Sequence, residues 1–494
     1  MALLSLIVPG SVALILFARL RKSPVAICIL PIMLTLGESA FIRTWNVSIR
    51  LPYVPVPLIW NDVVFGALVI SWLYVWQKRR VKTRFASGWD ILAVVLFLGL
   101  VVAQVPVAWL RDQEIRLGAI LAIRSFLYFP LSIFLWADLL RRLARNEIEN
   151  LLGCLSWVTV GLLGLYVLHM LGYVTSPVDS SYYQGVLGST PIIRDALAFP
   201  FFTKVAFAYF LTRPRKNAGT LLALGVAFTG VLFSYTRSWV IPAVLMLVVS
   251  VLYLAVVQQR LRMALGQVAV LGAMGAFVFA GATMLFPVNV GFAVDRLREI
   301  GVQGLNTPNL VSRVETMGIV ARYVGTVDPI WGAGYSVATA RDLQAISQGR
   351  LIGDAVWPAL LLPLGWSGVI SFGLILFVML LVAGSGAVKK RNDGTPLLTI
   401  GLLLIIVWDI LRTVSSSDIL TIYPVGEALI FALVMVESRS LWSSNPLTLP
   451  GLPLLSGLGN DWFTRNDSYL VLRRSVLIAL ISLLAVGAGI VVSR

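Results

Sequence analysis

Arg237 stands in the four-residue link Tyr235-Thr236-Arg237-Ser238 between two long apolar runs, 218–234 and 239–257, a placement that pins a guanidinium at a membrane surface. Held there, a planar guanidinium is a bidentate donor for phosphate or carboxylate, a task it performs better than an ammonium group. The plainer alternative is that it caps the carbonyls at the C-terminus of the preceding helix. Further along, Ser312-Arg313-Val314-Glu315 has the spacing of a capping box, with Ser312 as N-cap and Glu315 reaching back from N3. Arg313 then falls in a first helical turn, where free N–H groups and the helix dipole attract an anion. Arg322, nine residues on, is about 180° round at 100° per residue and points to the opposite side.

After that helix come a turn at Asp328-Pro329, a flexible corner at Gly332-Ala333-Gly334-Tyr335, and Gly353-Asp354 just before the next long apolar run. Asp354 is either an N-cap or a general base at the lip of a cavity, the second role requiring a pKa raised by desolvation. Other charges sit where charge is expensive. Arg124 lies about 10 Å and Lys204 about 13 Å along their helices from the outer boundary, at 1.5 Å per residue. A Lys or Arg at the bilayer centre costs on the order of 3 kcal/mol. Asp409, Arg412 and Glu427 fall in the outer halves of two further runs. These residues either pair internally to hold helices together or line a polar cavity open to the outside. Lys204, Arg124, Arg322, Tyr335 and Arg412 are substrate-binding candidates, and Arg237, Arg313 and Asp354 catalytic ones.

Elements that could position these groups are read from hydropathy. The chain is 58% hydrophobic and 13% charged, with mean hydropathy +0.89, far from the roughly 25% charge of soluble domains. Its fold class is all-α and polytopic, with about fourteen runs of spanning length near 2–18, 24–40, 57–76, 88–108, 118–138, 151–172, 196–212, 218–234, 239–257, 264–286, 355–384, 396–413, 421–436 and 475–492. Basic clusters at 19–22, 78–84, 141–145, 213–216, 260–262 and 389–391 fall between alternate pairs of runs, which places them all in the cytoplasm and the N-terminus outside. Strict alternation sends both 118–138 and 421–436 from outside to inside. Residues 287–354 form the one large outer loop, where six arginines are balanced by six acids. The expected layout is a membrane body over 1–436 that includes this loop subdomain, a cytoplasmic linker over 437–474, and an appended helix within 475–494.

Residues 2–18 lack a basic n-region, so they read as a first helix and not as a signal peptide. The net charge of +16 records topology, and no nucleic-acid partner is expected. Cys28, Cys154 and the single His169 provide no zinc set and no disulfide framework. His169 reads as a core residue, with proton handling as its alternative. An Asp-x-Asp pair and a phosphate-cradling G-x-x-x-x-G-K-[ST] are both absent.

Ser234-Tyr235-Thr236-Arg237-Ser238-Trp239, Ser312-Arg313 opening an outer helix, Asp328-Pro329-Ile330-Trp331-Gly332-Ala333-Gly334 and the stretch Leu361 to Gly368 with its Leu364-Gly365-Trp366-Ser367-Gly368 follow in an order that resembles the O-antigen ligase and polymerase superfamily. Arg194 and Pro200, at the start of the seventh run, are similar to another of its features, which makes Arg194 a further substrate-binding candidate, and the resemblance covers roughly 190–370. It implies a bundle of the lipid-carrier glycosyltransferase (GT-C-like) type with a periplasmic subdomain over an outer-leaflet cavity. It also implies a glycan donor on undecaprenyl diphosphate, a saccharide acceptor, inverting transfer without metal or other cofactor, and Arg237 and Arg313 neutralising the departing pyrophosphate. The setting implied is the bacterial inner membrane with the site on its periplasmic face, and a chain-length regulator is a further candidate partner. Ligases of this family carry a histidine where this chain has Asp354, which favours a polymerase of O-antigen or exopolysaccharide units over a ligase acting on a lipid A-core acceptor. A flippase for lipid-linked glycans and a peptidoglycan-type glycosyltransferase are the competing readings. No internal repeat of the transporter kind is visible.

Overall fold

The computed structural model describes residues 27–32, 34, 60–79, 89–112, 117–170, 199–212, 218–232, 237–257, 261–288, 290–292, 294, 295, 298, 308–334, 356–388, 397–413, 420 and 424–443. Arg194, Tyr335, Asp354 and the run 475–492 lie outside the described residues. Among the described residues the chain is almost entirely helical and contains no strand. Its helices are α1 (Trp60–Lys78), α2 (Trp89–Asp112), α3 (Leu117–Arg141), α4 (Arg145–Met170), α5 (Phe199–Leu211), α6 (Ala218–Leu232), α7 (Arg237–Leu252), α8 (Leu261–Leu285), α9 (Pro308–Val327), α10 (Val356–Val388), α11 (Leu397–Thr413) and α12 (Pro424–Ser443). Four stretches among them, Trp89–Val107, Trp239–Val256, Leu261–Leu285 and Val356–Gly384, are long and apolar enough to cross a membrane, a pattern consistent with a multi-pass membrane protein. In hydrocarbon every backbone polar group must be satisfied within the segment, which is why such runs are helical. Buried hydroxyls follow the same rule: Ser156 and Thr159 donate to the carbonyls of Leu152 and Leu155, four residues back on α4.

Two compact units divide the chain, Met1–Arg80 with Arg141–Gly304, and Val81–Leu140 with Leu305–Arg494. In the first unit several helix ends meet through side-chain contacts. Arg79, just past α1, makes a bidentate pair with Glu147 at 2.8 and 3.0 Å and donates to the Arg142 carbonyl, while Arg142 donates back to the carbonyl of Arg79. The Glu147 hydrogen bond raises the already high pKa of this guanidinium. Glu147 also accepts from the Ala144 N–H, capping the start of α4. Gln267 of α8 donates to Ser250 of α7 at 3.0 Å and to the Leu211 carbonyl of α5 at 3.5 Å, so three helix ends meet.

The second unit is centred on Phe372 of α10, fully buried against Phe97 of α2, Phe129 of α3 and Trp357 at 5.8, 6.0 and 6.2 Å. Phe129 in turn packs edge-on against Phe431 of α12 at 5.1 Å, and the Trp136 indole N–H donates to the Val425 carbonyl at 3.0 Å. As residue numbers rise along α3 they fall along α12, so these helices run antiparallel, where strict alternation of the hydropathy runs made them parallel. Hydropathy counts apolar runs without showing whether each reaches the far side. α11, with 17 residues, is about 25 Å long against roughly 30 Å of hydrocarbon.

Helix α10 is broken at Gly365, whose φ of 63° and ψ of −163° are non-helical and lie in a region that only glycine adopts readily. Pro363 removes a further backbone donor just before the break. The freed groups are taken up by the segment that follows α9. Trp366 N–H donates to the Pro329 carbonyl at 2.9 Å, Ser367 N–H to that of Ile330 at 3.3 Å, and Ala333 N–H to that of Leu362 at 2.8 Å. Two backbones cross here at glycine on both sides: a Cβ on Gly365 would strike the Ile330 carbonyl, and one on Gly332 (φ 76°) the Gly365 nitrogen. Strain at positive φ and overlap with backbone that cannot yield act together. Gly365→Ala should therefore destabilise the folded protein by on the order of 3 kcal/mol or more. Gly373→Ala on the same helix, where nothing lies within 4 Å, should be neutral or slightly stabilising. Thermal unfolding of the detergent-purified variants measures both.

Candidate functional site

Arg313 lies on α9, which begins at Pro308, a residue whose fixed φ suits the first helical position. Ser312 is therefore inside the helix, its carbonyl accepting from the Thr316 hydroxyl at 2.6 Å. The expected capping box at Ser312–Glu315 is corrected accordingly, and Arg313 sits in the second turn, beyond the range in which a helix N-terminus holds an anion. The Thr307-Pro308 pair carried the true start signal in the sequence.

Thr316, Val320 and Val324 form the buried face of α9, and the two valines rest on Leu361 of α10. Arg313 is half-buried. Arg322 is exposed, its Nε donating to the Gly318 carbonyl of its own helix at 3.3 Å. The two arginines thus differ in surroundings as their angular separation requires. The C-terminal end of α9 is held by Asp328, whose Oδ1 accepts from the Ile330 and Trp331 N–H groups at 3.0 Å each, while its own carbonyl accepts from Gly332 N–H at 2.9 Å. Gln104, fully buried on α2, donates from Nε2 to the Trp331 carbonyl at 2.9 Å. This closes a clasp of backbone and side-chain bonds around the break in α10.

Arg237 is the first residue of α7 and belongs to the first unit. Lys204, on α5 of the same unit, is fully buried. Arg124, half-buried on α3, belongs to the second unit with Arg313, Arg322 and Arg412.

Arg412 and Glu427 face each other across the α11–α12 pair, Nη1 to Oε1 at 3.9 Å, with side chains 2% and 0% exposed. Asp409, one helical turn before Arg412, is also fully buried. This geometry favours the internal-pairing alternative for Arg412, because a helix-holding pair leaves it little surface for a ligand. Sequence reasoning missed Gln104 as a site residue, although an amide alone in an otherwise apolar run is a usable signal. It treated Asp328 as a turn residue only. Removing one member of a buried pair strands the other charge. Arg412→Ala should therefore cost about 3–5 kcal/mol, and adding Glu427→Gln should recover part of that loss. Unfolding curves of the single and double variants decide it.

Scanned against protein-family models the chain matches none, and no curated protein matches it in sequence.

Proposed function

We propose that this protein transfers a glycan from undecaprenyl diphosphate to a saccharide hydroxyl at the outer face of the bacterial inner membrane, polymerising O-antigen or exopolysaccharide repeat units. The body proposed is a GT-C-like bundle of about fourteen apolar segments, with α11 and α12 departing from simple alternation. One observation supports the reading above the others. Asp328–Ala333 and Leu362–Ser367, two of the stretches that carry the family resemblance, are bonded to each other, and they sit at the foot of the helix bearing Arg313.

In the proposed reaction the acceptor oxygen forms a bond to the anomeric carbon of the donor as the bond from that carbon to the diphosphate oxygen breaks. The acceptor proton leaves to Asp354 or to solvent, and undecaprenyl diphosphate departs with an added negative charge. Arg237 and Arg313 are assigned to that charge, since donors placed where charge develops lower the barrier. Arginine suits the task because it stays protonated and its fork matches two phosphate oxygens.

Purified protein supplied with an undecaprenyl-diphosphate oligosaccharide should yield longer lipid-linked products with EDTA present. Arg237→Ala and Arg313→Ala should each lower the rate by roughly a hundredfold or more, and lysine should restore little. Asp354→Ala separates the roles left open for Asp354: a base variant is slow but stable, whereas a lost cap lowers the unfolding temperature. Failure of any chain to grow, with intact substrate crossing proteoliposome membranes, would replace this reading with the flippase.

A further inference from the structure

Helix α9 touches α10 through a narrow apolar seam. Val320 and Val324 are one turn apart and meet a single fully buried residue, Leu361, with partly buried neighbours around them. With Met317, Ala321 and Tyr323 packed beside the two valines, these contacts limit how far the helix can lift, but they alone leave the direction of the N-terminal part open to adjustment. That direction is constrained from the other end. The Val324 carbonyl accepts from Asp328 N–H, extending the helical pattern by one residue. Asp328 Oδ1 then folds the chain back at Ile330 and Trp331, and three backbone bonds together with the Gln104 amide fasten the returning strand of chain to the break in α10 and to α2.

We propose that Asp328 is a positioning residue, one that fixes the direction of α9 and thereby the location of Arg313; the consequence for catalysis rests on the function proposed above. Asp328 lies fifteen residue steps beyond Arg313, about 22 Å at 1.5 Å per residue, so a 10° swing at the clasp displaces the guanidinium by roughly 4 Å. A displacement of about 1 Å in a reacting constellation can already cost a hundredfold. The acceptor oxygen on Asp328 is what the turn requires, and its charge is dispensable. Asparagine offers the same oxygen to the same two N–H groups, whereas alanine offers none.

The test joins a distance to a rate. In a background with Cys28→Ala and Cys154→Ala, spin labels are placed at Val314→Cys and Ile370→Cys, on α9 and α10 positions that are 65% and 67% exposed, and the interlabel distance distribution is measured in nanodiscs. Asp328→Ala should broaden or shift that distribution and lower kcat ten- to hundredfold with KM within about twofold, as expected when geometry and not binding is lost. Asp328→Asn should match wild type in both. An unchanged distribution in Asp328→Ala overturns the proposal, whatever happens to the rate. A shifted distribution with an undiminished rate also overturns it, because Arg313 is then not what α9 positions. Should the wild type transfer no glycan at all, the functional reading falls, while the distance measurement still decides whether Asp328 directs the helix.

Discussion

The crossing of two backbones at Gly332 and Gly365 is the constraint on which the second unit depends. A break inside a long apolar helix exposes peptide groups that hydrocarbon cannot solvate, each unsatisfied group costing several kcal/mol. The break in α10 is tolerable because the segment after α9 donates and accepts in place of water, and that segment can come close enough only where neither chain carries a side chain. The arrangement works in both directions. Helix α9 needs an anchor and the broken helix needs partners, so the same bonds meet both needs.

Charge follows a related logic. Arg412, Glu427 and Asp409 are buried on α11 and α12, where a lone ion would be driven to neutralise or to pull in water. At 3.9 Å the Arg412–Glu427 approach is longer than a charge-assisted hydrogen bond of 2.7–2.9 Å. Its effect is therefore mainly Coulombic, and attraction of that kind is strongest in a low-dielectric interior. In the first unit, the Arg79–Glu147 pair is shorter but sits at the helix ends and is partly exposed, 36% and 16%, where such pairs contribute less. The buried pair holds its helices together, whereas the solvated one mainly selects which helix ends meet.

Helix content was legible because it is a property of composition along the chain. Apolar runs must be helical. The start of α9 was missed because two local signals competed. Ser312-x-x-Glu315 has the spacing of a cap, but Thr307-Pro308 precedes it, and once a helix has begun an interior serine cannot end it. The directions of α3 and α12 were not legible, since a 17-residue run between them counts as a crossing by hydropathy although it is shorter than the membrane core. Gln104 was overlooked for a different reason: its meaning lies in a carbonyl 227 residues away, and no local pattern announces such a partner.

Sequence proximity and mechanical proximity differ along α9. Arg313 and Arg322 are nine residues apart on one helix, yet one is half-buried and the other exposed. Asp328, by contrast, is remote from Arg313 by about 22 Å of helix and yet mechanically continuous with it. A helix is stiff along its axis, so an anchor at one end governs the other end more directly than a side chain two turns away. Residues of the clasp can therefore be constrained as tightly as the groups that meet a ligand while touching none themselves. A stretch such as Asp328–Gly334, dense in turn-forming residues, has a sufficient physical reason to be there in the work of aiming α9.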